Sequence, residues 1–194
     1  MNRDSGRPRL ARRAAVSALA IAAALPVAGC GVFGSGTGTE APAAMTVSSG
    51  AFAQRAMPAH YTCAAGSKAI NPPLGWAGTP AGTKSLALVV DDSSAPITPY
   101  VYWIVFDINP ATSEILEGQL PAGARQASNS AGTVAYDPPC PGPHGHEYRF
   151  TVYALSKVLN LPSGTSLESA WSAIAAATVG RGRLTANATT PAGQ

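Results

Sequence analysis

From residue 45 onward the chain is cut into short apolar or alternating runs, each closed by glycine, proline or asparagine, and this punctuation limits what it can fold into. Residues 45–49, 84–91, 100–108, 147–156 and 183–188 read as strands, with successive side chains on opposite faces. The one clear helical pattern covers 166–179. Thr165-x-x-Glu168 supplies a capping box there, Leu167, Trp171, Ile174 and Thr178 form a stripe to set against a sheet, and Gly180 offers a left-handed C-terminal stop. The expectation is a mainly β domain with a helix at its periphery.

The N-terminal segment follows different rules. Arg3, Arg7, Arg9, Arg12 and Arg13 precede an apolar stretch from residue 14 to 25, and Val27-Ala28-Gly29-Cys30 closes it with small residues before a cysteine. That is the arrangement of a bacterial lipoprotein signal peptide, with cleavage before Cys30 and a diacylglyceryl group on its thiol. The apolar core is short for a bilayer span, whereas two or more acyl chains anchor a protein stably. Residues 1–29 are thus read as signal, 30–44 as lipidated cysteine and flexible Gly/Thr-rich tether, and 45–190 as one domain. The expected location is the cell envelope, on the extracytoplasmic side of a bacterial membrane.

Processing alters the charge. Five of the thirteen Lys/Arg and one of the ten Asp/Glu lie in residues 1–29, which leaves eight against nine and a formal net charge of −1. No basic tract remains for a row of phosphates, so nucleic acid is not an expected partner. With Cys30 lipidated, Cys63 and Cys140 remain in a compartment where disulfides persist. They form either a bridge closing a long loop or two separate thiols. No spacing of Cys or His resembles a metal site, and no cofactor is expected.

Proline-rich loops at 71–76, 91–96 and 137–146 hold shape without a ladder and suit a rigid pocket rim. Along 84–92, Leu86, Leu88, Val90 and Asp92 share a face; along 146–152, His146 and Tyr148 precede Phe150 and Val152 on one face. A carboxylate, an imidazole and a phenol therefore open otherwise apolar rows, either as a polar niche or as a buried structural network. Tyr102, within an apolar run, reads from pattern alone as core. Catalysis is not expected: there is no Gly-x-Ser-x-Gly elbow, and prolines flank Cys140 on both sides.

Tyr61-Thr62-Cys63, the run from Asn71 to Trp76, the run from Thr79 to Asp92, Leu120-Pro121, Pro139-Cys140-Pro141 and His146-x-Tyr148-x-Phe150-x-x-Tyr153 stand together in one order. In that order and spacing the chain resembles the phosphatidylethanolamine-binding proteins, in their bacterial and archaeal Raf-kinase-inhibitor-like branch. The resemblance implies a large antiparallel sheet packed on a smaller one, with peripheral helices and a small pocket for anionic groups. Carried over by position, that pocket holds Asp92, Ser94, Tyr102, Pro139, His146 and Tyr148. Ser93 and Ser94 replace a proline and a second acid of the family loop, Tyr102 stands for a histidine, and Glu147 for an arginine. The implied partners are a small anionic ligand or phospholipid head group, the membrane through the anchor, and, as the alternative function, an extracytoplasmic protease held by an inhibitor.

Overall fold

The structure is a computed structural model that describes residues 42–94, 98–142 and 145–188. The expected signal peptide, Cys30, most of the tether, Ala95, Pro96 and His144 lie outside the described residues. Among the described residues eight strands form: β1 (Thr46–Ser48), β2 (Leu74–Ala77), β3 (Ser85–Asp92), β4 (Tyr100–Ile108), β5 (Glu114–Ile115), β6 (Arg125–Gln126), β7 (His146–Leu155) and β8 (Thr178–Ala188). Among them too, an α-helix, α1 (Leu167–Ala177), precedes β8, and three 3-10 turns lie between β1 and β2. No helix among the described residues is long and apolar enough to cross a membrane.

The strands make an antiparallel five-stranded sheet, ordered β6-β4-β3-β7-β8, and an antiparallel three-stranded sheet, ordered β1-β2-β5. Alternation divides the large sheet's side chains between two cores. Leu86, Leu88, Val90, Phe150 and Val152 meet Val47, Leu74, Trp76 and Ile115 from the small sheet. Ala87, Val89, Ile104, Phe106 and Leu155 meet Ala170, Ile174 and Ala177 of the helix. Burial on both faces explains why β3 reads as a nearly continuous apolar run.

Three local expectations are corrected. The helix is capped by Ser166, whose hydroxyl accepts the Ser169 amide at 3.2 Å, one residue after the anticipated Thr165. Its buried stripe is Ala170, Ile174 and Ala177, while Trp171 is 42% exposed and meets Tyr153 edge-on at 5.9 Å. Small alanines let the helix lie close on the sheet and turn the large indole to the side. Nor does Gly180 end the helix: Thr178 turns directly into β8, which begins five residues earlier than expected, and Ser156 donates to the Ala177 carbonyl at 2.8 Å.

Gly180 and Gly182 serve close approach instead. A Cβ at Gly182 would lie 2.6 Å from the Met45 carbonyl oxygen, and one at Gly180 would lie 2.9 Å from the Pro80 side chain. Residues 42–44, read from composition as the end of the tether, run beside β8, where the Ala44 and Met45 amides donate to the Arg181 carbonyl at 3.0 and 3.1 Å.

Candidate functional site

Asp92 ends β3 and His146 begins β7, and the antiparallel register places Asp92 opposite Tyr148 on one side and Tyr100 on the other. The polar ends of two apolar rows therefore meet at one edge of the core shared with the small sheet. Asp92 is 3% exposed. Its Oδ2 lies 2.6 Å from His146 Nδ1, and its Oδ1 accepts the Ser94 amide at 2.7 Å, so both carboxylate oxygens have partners. The His146 side chain is about one-third exposed, and its ring stacks on Tyr148 at 6.1 Å. With Nδ1 held by the carboxylate, Nε2 is the nitrogen that remains to face a ligand. The backbone of Gly142 passes beside it: a Cβ there would lie 3.9 Å from Nε2.

Tyr102 reaches this site through an irregularity. Val90 pairs with Trp103 and Asp91 with Val101, which leaves Tyr102 as the extra residue of a bulge. A strictly alternating strand would send Tyr102 to the helix face with Ile104 and Phe106. The bulge shifts the parity, and Tyr102 packs instead against the small-sheet core, edge-on to Tyr148 at 5.5 Å and 4.6 Å from Tyr100.

Ser94 contributes mainly through its backbone. Its amide caps Asp92, and its hydroxyl accepts the Glu147 amide at 3.1 Å, which pins the loop to the start of β7. Pro139 is buried and its carbonyl accepts the Cys63 amide at 2.9 Å, beside the Cys63–Cys140 disulfide that spans 77 residues of sequence. The bridge alternative for the two cysteines is the one realised. Sequence reasoning passed over Tyr100 and Asp137, joined by a 2.8 Å hydrogen bond from the phenol to the carboxylate. Strand alternation pairs Tyr100 with Tyr102, but Asp137 comes from a loop with no periodicity to place it.

Tyr148 is wholly buried, and its hydroxyl makes no hydrogen bond among the described residues. The Tyr102 hydroxyl is near enough to weigh on its ionisation, yet no neighbour completes a well-formed hydrogen bond. Burial raises the Tyr148 pKa, with Tyr102 and Asp92 adding to the effect. Burial likewise pushes Tyr102 up to about 12, helped by Asp92, Tyr100 and Asp137. Both phenols therefore remain neutral donors throughout the physiological range. Among the described residues no cluster of His, Cys, Asp and Glu is arranged to hold a metal ion.

The sequence pattern of the family described as phosphatidylethanolamine-binding protein matches residues 47–189, all of both sheets apart from the first residue of β1. The chain belongs to the phosphatidylethanolamine-binding protein family. It is 44% identical over 151 residues to a protein of Mycobacterium tuberculosis named as lipoprotein LppC, covering 75% of this chain and 74% of that one. It is 39% identical over 133 residues to a UPF0098 protein of Methanothermobacter thermautotrophicus, covering 66% and 87%. Among solved structures, the phosphatidylethanolamine-binding protein homologue CT736 of Chlamydia trachomatis superposes with a TM-score of 0.67 at 33% identity, covering 74% of this chain and 96% of that one. YbcL of Escherichia coli shares the fold, with a TM-score of 0.68 at 24% identity over 76% and 99%.

As a phosphatidylethanolamine-binding protein relative, this chain carries all six of its tyrosines with raised pKa values: Tyr61 and Tyr100 at about 12 as well as Tyr102, and Tyr136, Tyr148 and Tyr153 upward mainly through burial. A folded state that holds phenols neutral loses stability once the unfolded chain ionises, so stability is complete below pH 10 and falls as pH rises toward and past 12. Tyrosinate absorbance near 295 nm is expected to appear together with loss of the near-ultraviolet circular dichroism. A tyrosinate signal of all six rings near pH 10 with native dichroism intact would contradict this.

Proposed function

We propose that the chain is an extracytoplasmic binding protein, cleaved before Cys30 and held to the membrane by that lipidated cysteine, whose niche takes a small oxyanion such as phosphate or a phospholipid head group without transforming it. The observation that carries the ligand reading is the Tyr148 hydroxyl, a buried donor left without a partner beside the Asp92–His146 pair. Buried polar groups are ordinarily satisfied, and a bound oxygen acceptor is the natural complement. Tyr102 is placed to offer a second phenol, and His146 Nε2 opens toward the backbone at Gly142.

The charge of Asp92 does not stand against an anion here, because His146 and the Ser94 amide occupy both its oxygens. The imidazolium form of His146, donating from both nitrogens, is the one that suits an oxyanion ligand. Pro139 and Ser94 act in this reading as frame, holding the two loops that border the niche. Cys140 is consumed in the disulfide and carries no free thiolate, which supports the reading without catalysis.

Titration with inorganic phosphate tests the assignment. A ligand that binds only the folded state raises the melting temperature with concentration. The wild-type protein is expected to show that rise and His146→Ala to lose it; an unchanged shift in the variant removes His146 from the site. For the anchor, replacing Cys30 with alanine is expected to move the protein from the membrane fraction to the soluble exported fraction.

A further inference from the structure

The niche offers a ligand three side-chain donors but little positive charge, and that imbalance bears on which oxyanion it takes. The donors are the Tyr148 hydroxyl, the Tyr102 hydroxyl beside it, and Nε2 of His146. Burial keeps both phenols neutral at physiological pH. Among the described residues, His146 is the one cationic side chain paired or stacked with Asp92, Tyr102 or Tyr148. Its imidazolium is at once offset by Asp92, whose Oδ2 lies 2.6 Å from Nδ1.

The neighbouring charges do not restore the balance. Arg149 follows Tyr148 in β7, so alternation puts it on the opposite face, where its guanidinium grips both oxygens of Asp91. Arg55 is turned to the edge strand β8, donating to the Thr185 carbonyl at 3.1 Å and to Glu147 Oε2 at 3.3 Å. Asp137 adds a second carboxylate, which accepts the Tyr100 hydroxyl at 2.8 Å. Asp92 and Asp137 both weigh on Tyr102 in the sense that opposes further negative charge there. One imidazolium against two carboxylates leaves the surroundings net negative before a ligand arrives.

A singly charged oxyanion can be held there by the three donors. A second charge on the ligand would meet Asp92 and Asp137 rather than a further cation, and a charge taken from water without a partner is costly. We propose that the niche selects singly charged oxyanion esters, such as phosphodiesters and sulfate monoesters, and rejects doubly charged anions of the same shape, phosphomonoesters among them. The ester substituent leaves on the open side, where the His146 side chain is about one-third exposed. This rests on the oxyanion reading of the niche and adds the charge and substitution of its ligand.

Sulfate and methyl sulfate form the test pair, because both are fully ionised at pH 6 and differ by one charge and one methyl group. In calorimetric titrations of the purified protein at pH 6 and constant ionic strength, methyl sulfate and dimethyl phosphate are each expected to bind at least tenfold more tightly than sulfate. His146→Ala is expected to lose all three. Asp137→Asn keeps an oxygen acceptor for Tyr100 and removes a carboxylate, so the preference for methyl sulfate over sulfate should narrow at least threefold, with native circular dichroism as the check on folding. Dihexanoylphosphatidylglycerol carries the charge of dimethyl phosphate on a lipid: tighter binding than dimethyl phosphate identifies a lipid as the source of the ester, and equal or weaker binding a free ester. The proposal is overturned if sulfate binds as tightly as methyl sulfate, or if Asp137→Asn leaves the preference where it was. If dimethyl phosphate, methyl sulfate and phosphate all fail to bind, the oxyanion reading of the niche falls and this proposal with it.

Discussion

Changing Cys63 and Cys140 together to serine is expected to lower the melting temperature by on the order of 10 °C. The bridge joins residues 77 apart in sequence with Cα atoms 5.2 Å apart. Closing a loop of that length removes unfolded-state entropy worth about 4 kcal/mol, and a domain of this size shifts by roughly 2–4 °C per kcal/mol. The effect reaches the niche as well. The bridge and the Cys63 amide together hold the segment around Pro139, and Gly142 beyond it lies next to His146 Nε2. Phosphate affinity is therefore expected to fall with stability, because a looser rim must be ordered on binding. Both cysteines lie at the surface, so dithiothreitol should reproduce the double substitution without prior unfolding. A melting temperature within 2 °C of wild type would show that the bridge constrains little.

Tyr148→Phe is expected to act in opposite directions on the free and the liganded protein. The hydroxyl is buried without a hydrogen bond, and an unsatisfied buried donor costs about 1–3 kcal/mol. Phenylalanine keeps the ring, its stacking with His146 and its edge contact with Tyr102, while removing that cost. Denaturant unfolding should show the ligand-free variant more stable than wild type. If the niche takes an oxyanion as proposed, phosphate affinity should drop at least tenfold, because the variant lacks one directed donor. A variant that loses stability while keeping its affinity would mean that the hydroxyl has a structural partner and no ligand role.

The positions of Asp92, His146 and Tyr148 were legible because β3 and β7 alternate without interruption through those residues. Period two needs nothing beyond local chain geometry to put Leu86, Leu88, Val90 and Asp92 on one face. The same logic misplaces Tyr102. Alternation along β4 assigns it to the helix face, and only the bulge opposite Val90 and Asp91 turns it to the niche. The motif resemblance grouped Tyr102 with Asp92, His146 and Tyr148, and the Tyr102 ring does pack edge-on to Tyr148 at 5.5 Å. The helix shows a similar division. Its existence and approximate length follow from composition, but the cap at Ser166 and the sideways indole of Trp171 depend on how closely α1 settles on the sheet.

Short-range chemistry in the chain was enough to establish a mainly β domain, the alternating faces that carry a carboxylate and an imidazole to the ends of apolar rows, and a family membership with its two-sheet architecture. Those are properties of neighbouring residues, and each neighbour is known from the order of the letters. Long-range encounters were needed for the rest: the union of Cys63 with Cys140, the close pass of residues 42–45 over Gly182, and the unsatisfied Tyr148 hydroxyl. Each of these depends on how remote strands and the helix dock. Docking distances arise from the summed packing of two cores, which no local pattern encodes.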